Sequence, residues 1–227
     1  YQCSGQVAAL ALKTGRPVRL TLGREESMIA SYKREPMTIS FALGADAEGT
    51  LQAAKVNMLA DSGAYASQTT LAMLRASLHA AGAYRYQAVH VDTDTVYTNN
   101  GFCGAFRGFG NTDAAAAVEQ AMDDLAYRFG RDPIDFRLQN CVQTGDRFMS
   151  GNVVDHPVYL ADCLEWVREK SDWDRKRKEF LQQEGDIRKG IGVACYMHGS
   201  SLGGEGADYA NTTLRIGNDC SVTLTSG

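Results

Sequence analysis

The chain predicts an α+β fold with mixed or mostly antiparallel sheets and packed helices, and three observations carry that expectation. Two alternating runs, Met37 to Ala45 and Leu51 to Ala60, are joined by Asp46-Ala47-Glu48-Gly49, where Gly49 suits the positive-φ position of a short hairpin connection. A third alternating run, Ala88 to Thr98, is preceded by a helical stretch from about Thr70 to Ala81 and followed by an alanine-rich one, Ala114 to Phe129. Hairpins and helices thus alternate without the regular repeat of a doubly wound sheet.

The remaining elements follow from spacing and punctuation. Between Gln2 and Lys13, Val7, Ala8, Leu10 and Ala11 fall on one helical face, and Thr14-Gly15-Arg16-Pro17 ends that helix. Val18, Leu20 and Leu22 alternate as a strand, and Arg24 to Met28 reads as a short helix. On the helix from Thr70, the residues Leu71, Leu74 and Leu78 form an apolar stripe, with Arg75 one step off it. Taken alone, Arg75 reads as a boundary arginine with a buried stem. Gly130 closes the alanine-rich helix, and Asp132-Pro133 opens another as N-cap and first-turn proline. Gly145 to His156 reads as an exposed linker, followed by helices at about Leu160 to Lys170 and Asp172 to Gln183. Strands are expected at Gly190 to Met197, Ala210 to Ile216 and Val222 to Thr225, with a glycine-rich hairpin end, Gly199 to Gly206, between the first two.

Composition narrows the function. The 227 residues are 44% hydrophobic and 22% charged, an ordinary globular composition. Lys+Arg number 23 against 27 for Asp+Glu, a net charge of −4. The one basic cluster, Arg175-Lys176-Arg177-Lys178, is flanked by Asp172, Asp174, Glu179 and Glu184, so it reads as a solvated helix face and nucleic acid is not an expected partner. No apolar run reaches the roughly 20 residues that cross a bilayer, so no membrane partner is expected. Six cysteines are scattered without a Cys-x-x-Cys pair, which points to reduced thiols and a cytoplasmic location, and against a zinc or iron–sulfur site in this chain.

The stretch that carries chemistry is Asn99 to Gly110, Asn-Asn-Gly-Phe-Cys-Gly-Ala-Phe-Arg-Gly-Phe-Gly. Four glycines let backbone approach a ligand and adopt positive φ. Arg107, between Phe106 and Phe109, offers a permanently charged fork beside flat apolar faces. The helix that begins near Asn111 or Thr112 aims its free N–H groups back at the loop, which favours an anion. The same spacing also suits a tight strand-to-helix turn with Phe106 and Phe109 in the core.

Gly104-Ala105-Phe106-Arg107-Gly108-Phe109-Gly110 resembles the cofactor loop of the xanthine dehydrogenase and aldehyde oxidase family of molybdenum hydroxylases. The interval from Arg75 to Arg107 matches that between the family's substrate-facing and loop arginines, Gly82-Ala83-Tyr84-Arg85 continues the match, and Asp132 to Asn140 is similar to a further family segment in which Arg137 and Asn140 read as structural. The resemblance covers nearly the whole chain and implies the fold of a molybdenum-cofactor-binding domain. It implies a first molybdopterin-binding lobe over residues 1–144, a linker over 145–158 and the start of a second lobe over 159–227. As cofactor it implies molybdenum held by molybdopterin, with a cytosine-type pterin nucleotide as one form, bound through Gly104, Ala105, Phe106 and Arg107. No protein side chain is expected to ligate the metal.

Further implications concern the reaction. A flat N-heterocycle or an aldehyde would be oxidised with water as the oxygen source, Arg75 acting as the catalytic arginine that stabilises developing negative charge, and Phe109 and Leu202 contacting the substrate. Iron–sulfur and flavin modules are expected in partner subunits or domains. The general-base glutamate is expected beyond Gly227 and a glycine-rich loop before Tyr1, so this segment alone is expected to be inactive. There are departures from the family pattern: Gly110-Asn111-Thr112-Asp113 stands where Gly-x-Pro-Gln often follows the loop, and Leu202 stands where purine oxidases place a second aromatic. A carbon-monoxide-dehydrogenase-like branch fits poorly because Gly108, not cysteine, follows Arg107. The other alternative is a cofactor-free relative that binds a partner subunit.

Overall fold

The computed structural model describes residues 2–199 and 210–226. Its elements are α1 (Gln2–Thr14), α2 (Arg24–Ala30), β1 (Met37–Ala45), β2 (Leu51–Asp61), α3 (Thr69–Leu78), β3 (Ala88–Val96), α4 (Asn111–Arg128), α5 (Pro133–Asn140), α6 (Leu160–Ser171), α7 (Trp173–Leu181), β4 (Thr212–Ile216) and β5 (Val222–Ser226). The fold is α+β, as the sequence predicts.

The hairpin β1–β2 closes where Asp46 Oδ1 accepts from the N–H groups of Glu48 and Thr50 and Gly49 adopts φ 81°. A left-handed turn position of this kind is where glycine carries no side-chain penalty. The strands pair antiparallel, whereas β2 and β3 pair parallel, giving the sheet order β1-β2-β3. Parallel pairing needs a crossover, and α3 supplies it. Leu51, Ala54, Val56, Met58 and Ala60 of β2 are buried in near alternation, so one sheet face meets α3 and α4.

Two apolar clusters stand on this frame. One gathers Val56, Met58 and Ala60 of β2 with Met73 and Ala76 of α3 and Ala114 of α4. The other gathers Val118, Met122 and Ala126 of α4 with Ile134 and Phe136 of α5, Leu164 of α6 and Trp173 of α7. Trp173 Nε1 donates to Asp132 Oδ2 at 2.9 Å, so the residue that caps α5 also orients α7. Against the second cluster, which includes Tyr84, lies a buried polar knot. Arg137 Nε donates to Glu119 Oε2 at 2.9 Å, and Tyr84 Oη donates to Glu119 Oε1 at 2.5 Å. Arg137 Nη1 also reaches Asp123 Oδ1 at 2.7 Å, and desolvation with the nearby Glu119 holds the Tyr84 phenol well above its usual range. Asn140 links α5 to the hairpin by accepting from Leu51 N and donating to Gly49 O. The structural roles expected for Arg137 and Asn140 are the ones found.

Several local expectations need correction. Residues 17–23 and 189–199 join no helix or strand ladder, so the strands expected at Val18 to Leu22 and Gly190 to Met197 do not form. For the second segment, side chains supply partners that a neighbouring strand would: Gln183 and Arg177 at Lys189 and Ile191, and Glu119, Asn111 and His79 at Cys195, Met197 and Gly199. The α3 stripe of Leu71 and Leu74 faces outward, at 55% and 46% exposure, while Ala72, Met73, Arg75 and Ala76 are buried. Small residues there let α3 lie close to the loop and to α4, and close approach outweighs the larger apolar area of leucine. The segment 145–158 is mostly exposed but is more than a tether: Gly145 N bonds Val154 O at 2.8 Å, and Met149 Sδ accepts from Ala81 N at 3.4 Å. No helix among the described residues is long and apolar enough to cross a membrane.

Candidate active site

The cofactor-type loop is anchored at its entry before it does anything else. Asp61, at the end of β2, accepts from Gly63 N at 2.7 Å, Thr98 Oγ1 at 2.7 Å and Asn100 Nδ2 at 2.6 Å. Those hydrogen bonds, the one from Thr98 foremost, hold its carboxyl below the ordinary aspartate range. Gly63 lies so close beneath that a Cβ there would sit 2.3 Å from the Gly101 carbonyl oxygen. Further on, Cys103 N donates to Ser62 O and Gly104 N to Lys33 O, which lays the loop across two earlier segments. Cys103 is buried, and desolvation pushes its thiol up. Asp61 is a site-shaping residue that the sequence analysis did not single out.

At its exit the loop turns through three consecutive left-handed residues, Gly108, Phe109 and Gly110, with φ of 96°, 52° and 83°. Phe109 pays a conformational cost of about 1–3 kcal/mol for that position. Phe109 N donates to Phe106 O at 2.8 Å and Asn111 N to Gly108 O at 3.1 Å. Gly110 then serves as N-cap of α4, its backbone pressed on α3 so tightly that a Cβ would lie 2.2 Å from the Ala72 carbonyl oxygen. Ala72 is three residues before Arg75, so the loop and the arginine share one rigid support.

Within the loop, Gly104 is buried, Ala105 and Phe109 are half-buried, and Arg107 is exposed. Phe106 is 49% exposed, so it does not take the core position that a plain turn would give it. Arg34 lies over its ring at 5.0 Å, pairs with Asp113 at 3.0 Å and donates to the Arg107 carbonyl. The Arg107 guanidinium has no ion pair among the described residues. An exposed aromatic and an un-neutralised guanidinium, on a backbone braced from below, fit an anionic, flat cofactor. The donor set suits a pterin phosphate better than a metal ion, and no group of three His, Cys, Asp or Glu side chains placed to hold a metal exists among the described residues.

Arg75 faces a separate concavity. It is 6% exposed, yet it lines a cleft of about 500 Å³ together with His79, Met197, His198 and the apolar side chains of Val142 and Phe148. Arg75 Nη1 donates to Gly199 O at 3.5 Å. His79 Nε2 accepts from Gly199 N at 3.1 Å while its Nδ1 lies 2.9 Å from the Arg75 carbonyl oxygen. The accepting Nε2 assigns the proton to Nδ1, a neutral tautomer that ties one helical turn of α3 to the segment opposite. His79 was not singled out from sequence, although it lies one helical turn after Arg75, on the same face. The loop residues Gly104 to Arg107 do not line this cleft, and Leu202 lies outside the described residues.

A braced loop built for a flat anion, set on the same helix as an arginine-lined apolar cleft, defines a cofactor-binding domain with an adjoining small-molecule site. Residues 1–141 match the molybdopterin cofactor-binding domain, and the chain belongs to that family as it occurs in xanthine dehydrogenases and aldehyde oxidoreductases. The nicotinate dehydrogenase large molybdopterin subunit of Eubacterium barkeri is 44% identical over 164 residues, covering 72% of this chain and 39% of its own length. The xanthine dehydrogenase molybdenum-binding subunit of Escherichia coli O157:H7 is 32% identical over 213 residues, covering 94% of this chain and 28% of its own length. Among solved structures, the aldehyde oxidoreductase of Desulfovibrio gigas matches with a TM-score of 0.83 at 27% identity, over 96% of this chain and 24% of that one. The chain therefore spans well under half the length of these relatives.

Proposed function

We propose that this chain is the cofactor- and substrate-facing segment of a molybdenum hydroxylase that oxidises a flat N-heteroaromatic compound or an aldehyde, with water as the oxygen source. The observation that carries the reading is Arg75, buried on α3 yet on the wall of an apolar cleft, and supported by the same helix that braces the cofactor loop. When bound, the molybdenum–pterin group would supply the two-electron oxidation. Gly104, Ala105, Phe106 and Arg107 would hold it, the guanidinium and the backbone N–H groups of Ala105 to Arg107 facing its oxygen atoms while Gly104 N stays bonded to Lys33 O.

The chain's own residues do the rest. Arg75 places a fixed positive charge where negative charge develops on the substrate, and a preorganised donor needs no rearrangement as the reaction proceeds. Phe109, half-buried in the loop and not on the wall of the Arg75 cleft, would present its ring to a flat substrate, a stacking contact contributing about 0.5–1.5 kcal/mol beyond burial, and Leu202 is assigned to the substrate side on the family resemblance alone. The apolar walls of Val142 and Phe148 exclude water and strengthen the arginine's field. Two of the curated relatives are named for nicotinate and xanthine, which supports heteroaromatic rings as the first substrates to screen. Iron–sulfur and flavin modules in partner subunits or domains would carry the electrons onward. Six free cysteines support a reducing compartment such as the cytoplasm.

Arg75→Ala in the intact enzyme tests the assignment. Turnover is expected to fall roughly 100- to 1000-fold with molybdenum content unchanged. Undiminished turnover of a good substrate would remove Arg75 from the mechanism.

A further inference from the structure

We propose that Asn111 is a positioning residue for the cleft: it transmits the register of the cofactor loop to segment 195–199, whose end, Met197 to Gly199, forms one cleft wall. The inference rests on reading the cleft as the substrate site.

Asn111 opens α4 immediately after the left-handed turn at Gly108, Phe109 and Gly110. Its backbone N–H bonds back to Gly108 O at 3.1 Å, so its own position is set by the loop. Its side chain, 1% exposed, points away from the loop and donates from Nδ2 to the Met197 carbonyl at 2.6 Å. One residue thus has a backbone bond in the cofactor loop and a side-chain bond in the cleft wall.

The wall has no ladder of its own to hold it. Among the described residues, the contacts on its backbone from outside the segment come from side chains of α4, of α3 and of the residue that closes α3: Cys195 N donates to Glu119 Oε2 at 2.8 Å, Met197 O accepts from Asn111, and Gly199 meets His79 and Arg75. Within the segment, His198 Nδ1 lies 2.9 Å from Gly199 O. Cys195, Met197 and Gly199 are the less exposed residues in an alternating run with Tyr196 and His198, so they turn one edge to the helices. Glu119 is pinned in turn by Arg137 and Tyr84, which makes it a fixed post. Asn111 lies between that post and the Gly199 contact with Arg75, and both Met197 and His198 face the cleft. Removing the Asn111 donor leaves Met197 O unpaired there and frees the middle of the wall to shift against Arg75.

The test uses the intact enzyme with Asn111→Asp, which keeps the shape and loses the donor, and Asn111→Ala as a second variant. Hydrogen–deuterium exchange of the peptide spanning residues 193–199 is read alongside steady-state kinetics and molybdenum content. Expected are faster exchange at Cys195 and Gly199 and a KM for a heteroaromatic substrate raised roughly tenfold, with kcat changed less and molybdenum retained. Unchanged exchange in both variants would overturn the proposal, whatever the kinetics. So would lost molybdenum with undisturbed exchange, because Asn111 would then belong to the cofactor loop alone, as would a fall in kcat with KM unaltered. A wild-type enzyme without molybdenum would instead count against the hydroxylase reading, and the exchange result would still decide the role of Asn111.

Discussion

Glu35 illustrates what a residue can do beneath the loop without touching a ligand. It is 3% exposed, and neither carboxylate oxygen has a hydrogen-bond partner among the described residues. Burial pushes its carboxyl up, Asp113 adds to this and Arg34 opposes it. A carboxyl whose pKa is raised on folding binds its proton more tightly in the native state. Its stabilising contribution is therefore full below the unfolded carboxylate range and is lost as pH rises through the folded value. Glu35→Gln, which cannot ionise, is expected to raise Tm near neutral pH, by about 2–4 °C for each kcal/mol of relieved penalty, and to leave it nearly unchanged near pH 4. A Tm that falls at neutral pH would show that the carboxylate has a partner there. Nothing in Arg34-Glu35-Pro36 announces a buried acid, and the groups that interact with it electrostatically, Asp113 and Cys103, lie far along the chain. Arg75 is the opposite case: spacing alone made it a boundary residue, and only its family resemblance to the loop arginine's partner singled it out.

At the scale of elements, the junction of α3, loop and α4 depends on the absence of one side chain. Gly110 combines φ 83° with a carbonyl 2.2 Å from where a Cβ would stand. Gly110→Ala is expected to cost about 1–3 kcal/mol in backbone conformation before the clash is counted, to lower the urea midpoint and to reduce molybdenum content. A variant with unaltered midpoint and full molybdenum would show that α3 and α4 can part without consequence. Glycine, aromatic and arginine made this junction legible, since each type has a restricted reason to be there. The segment 190–199 was misread because Ile191, Val193 and Cys195 alternate as strand residues do. Alternation reports which side faces the core, and it is silent on whether another strand or a row of side chains meets the backbone. The outward Leu71 and Leu74 were misread for a related reason: leucine dominates a sequence pattern, but Ala72 and Ala76 permit the closer contact.

For the whole molecule, the α+β class and the β1–β2 hairpin were readable because they rest on contacts between neighbours in sequence. The parallel pairing of β2 with β3 and the cleft were not. The cleft brings together residues near 75–79, 142–158 and 197–199, and only the completed fold sets that distance. The central claim is that the loop from Gly104 to Arg107 holds a molybdenum–pterin cofactor beside that cleft. Molybdenum and pterin-nucleotide analysis of the intact, fully matured protein, wild type and Arg107→Ala side by side, tests it most directly. The account predicts stoichiometric molybdenum and pterin in the wild type and a clear deficit in the folded variant. Absence of both from the wild type, or full retention in the variant, would contradict it.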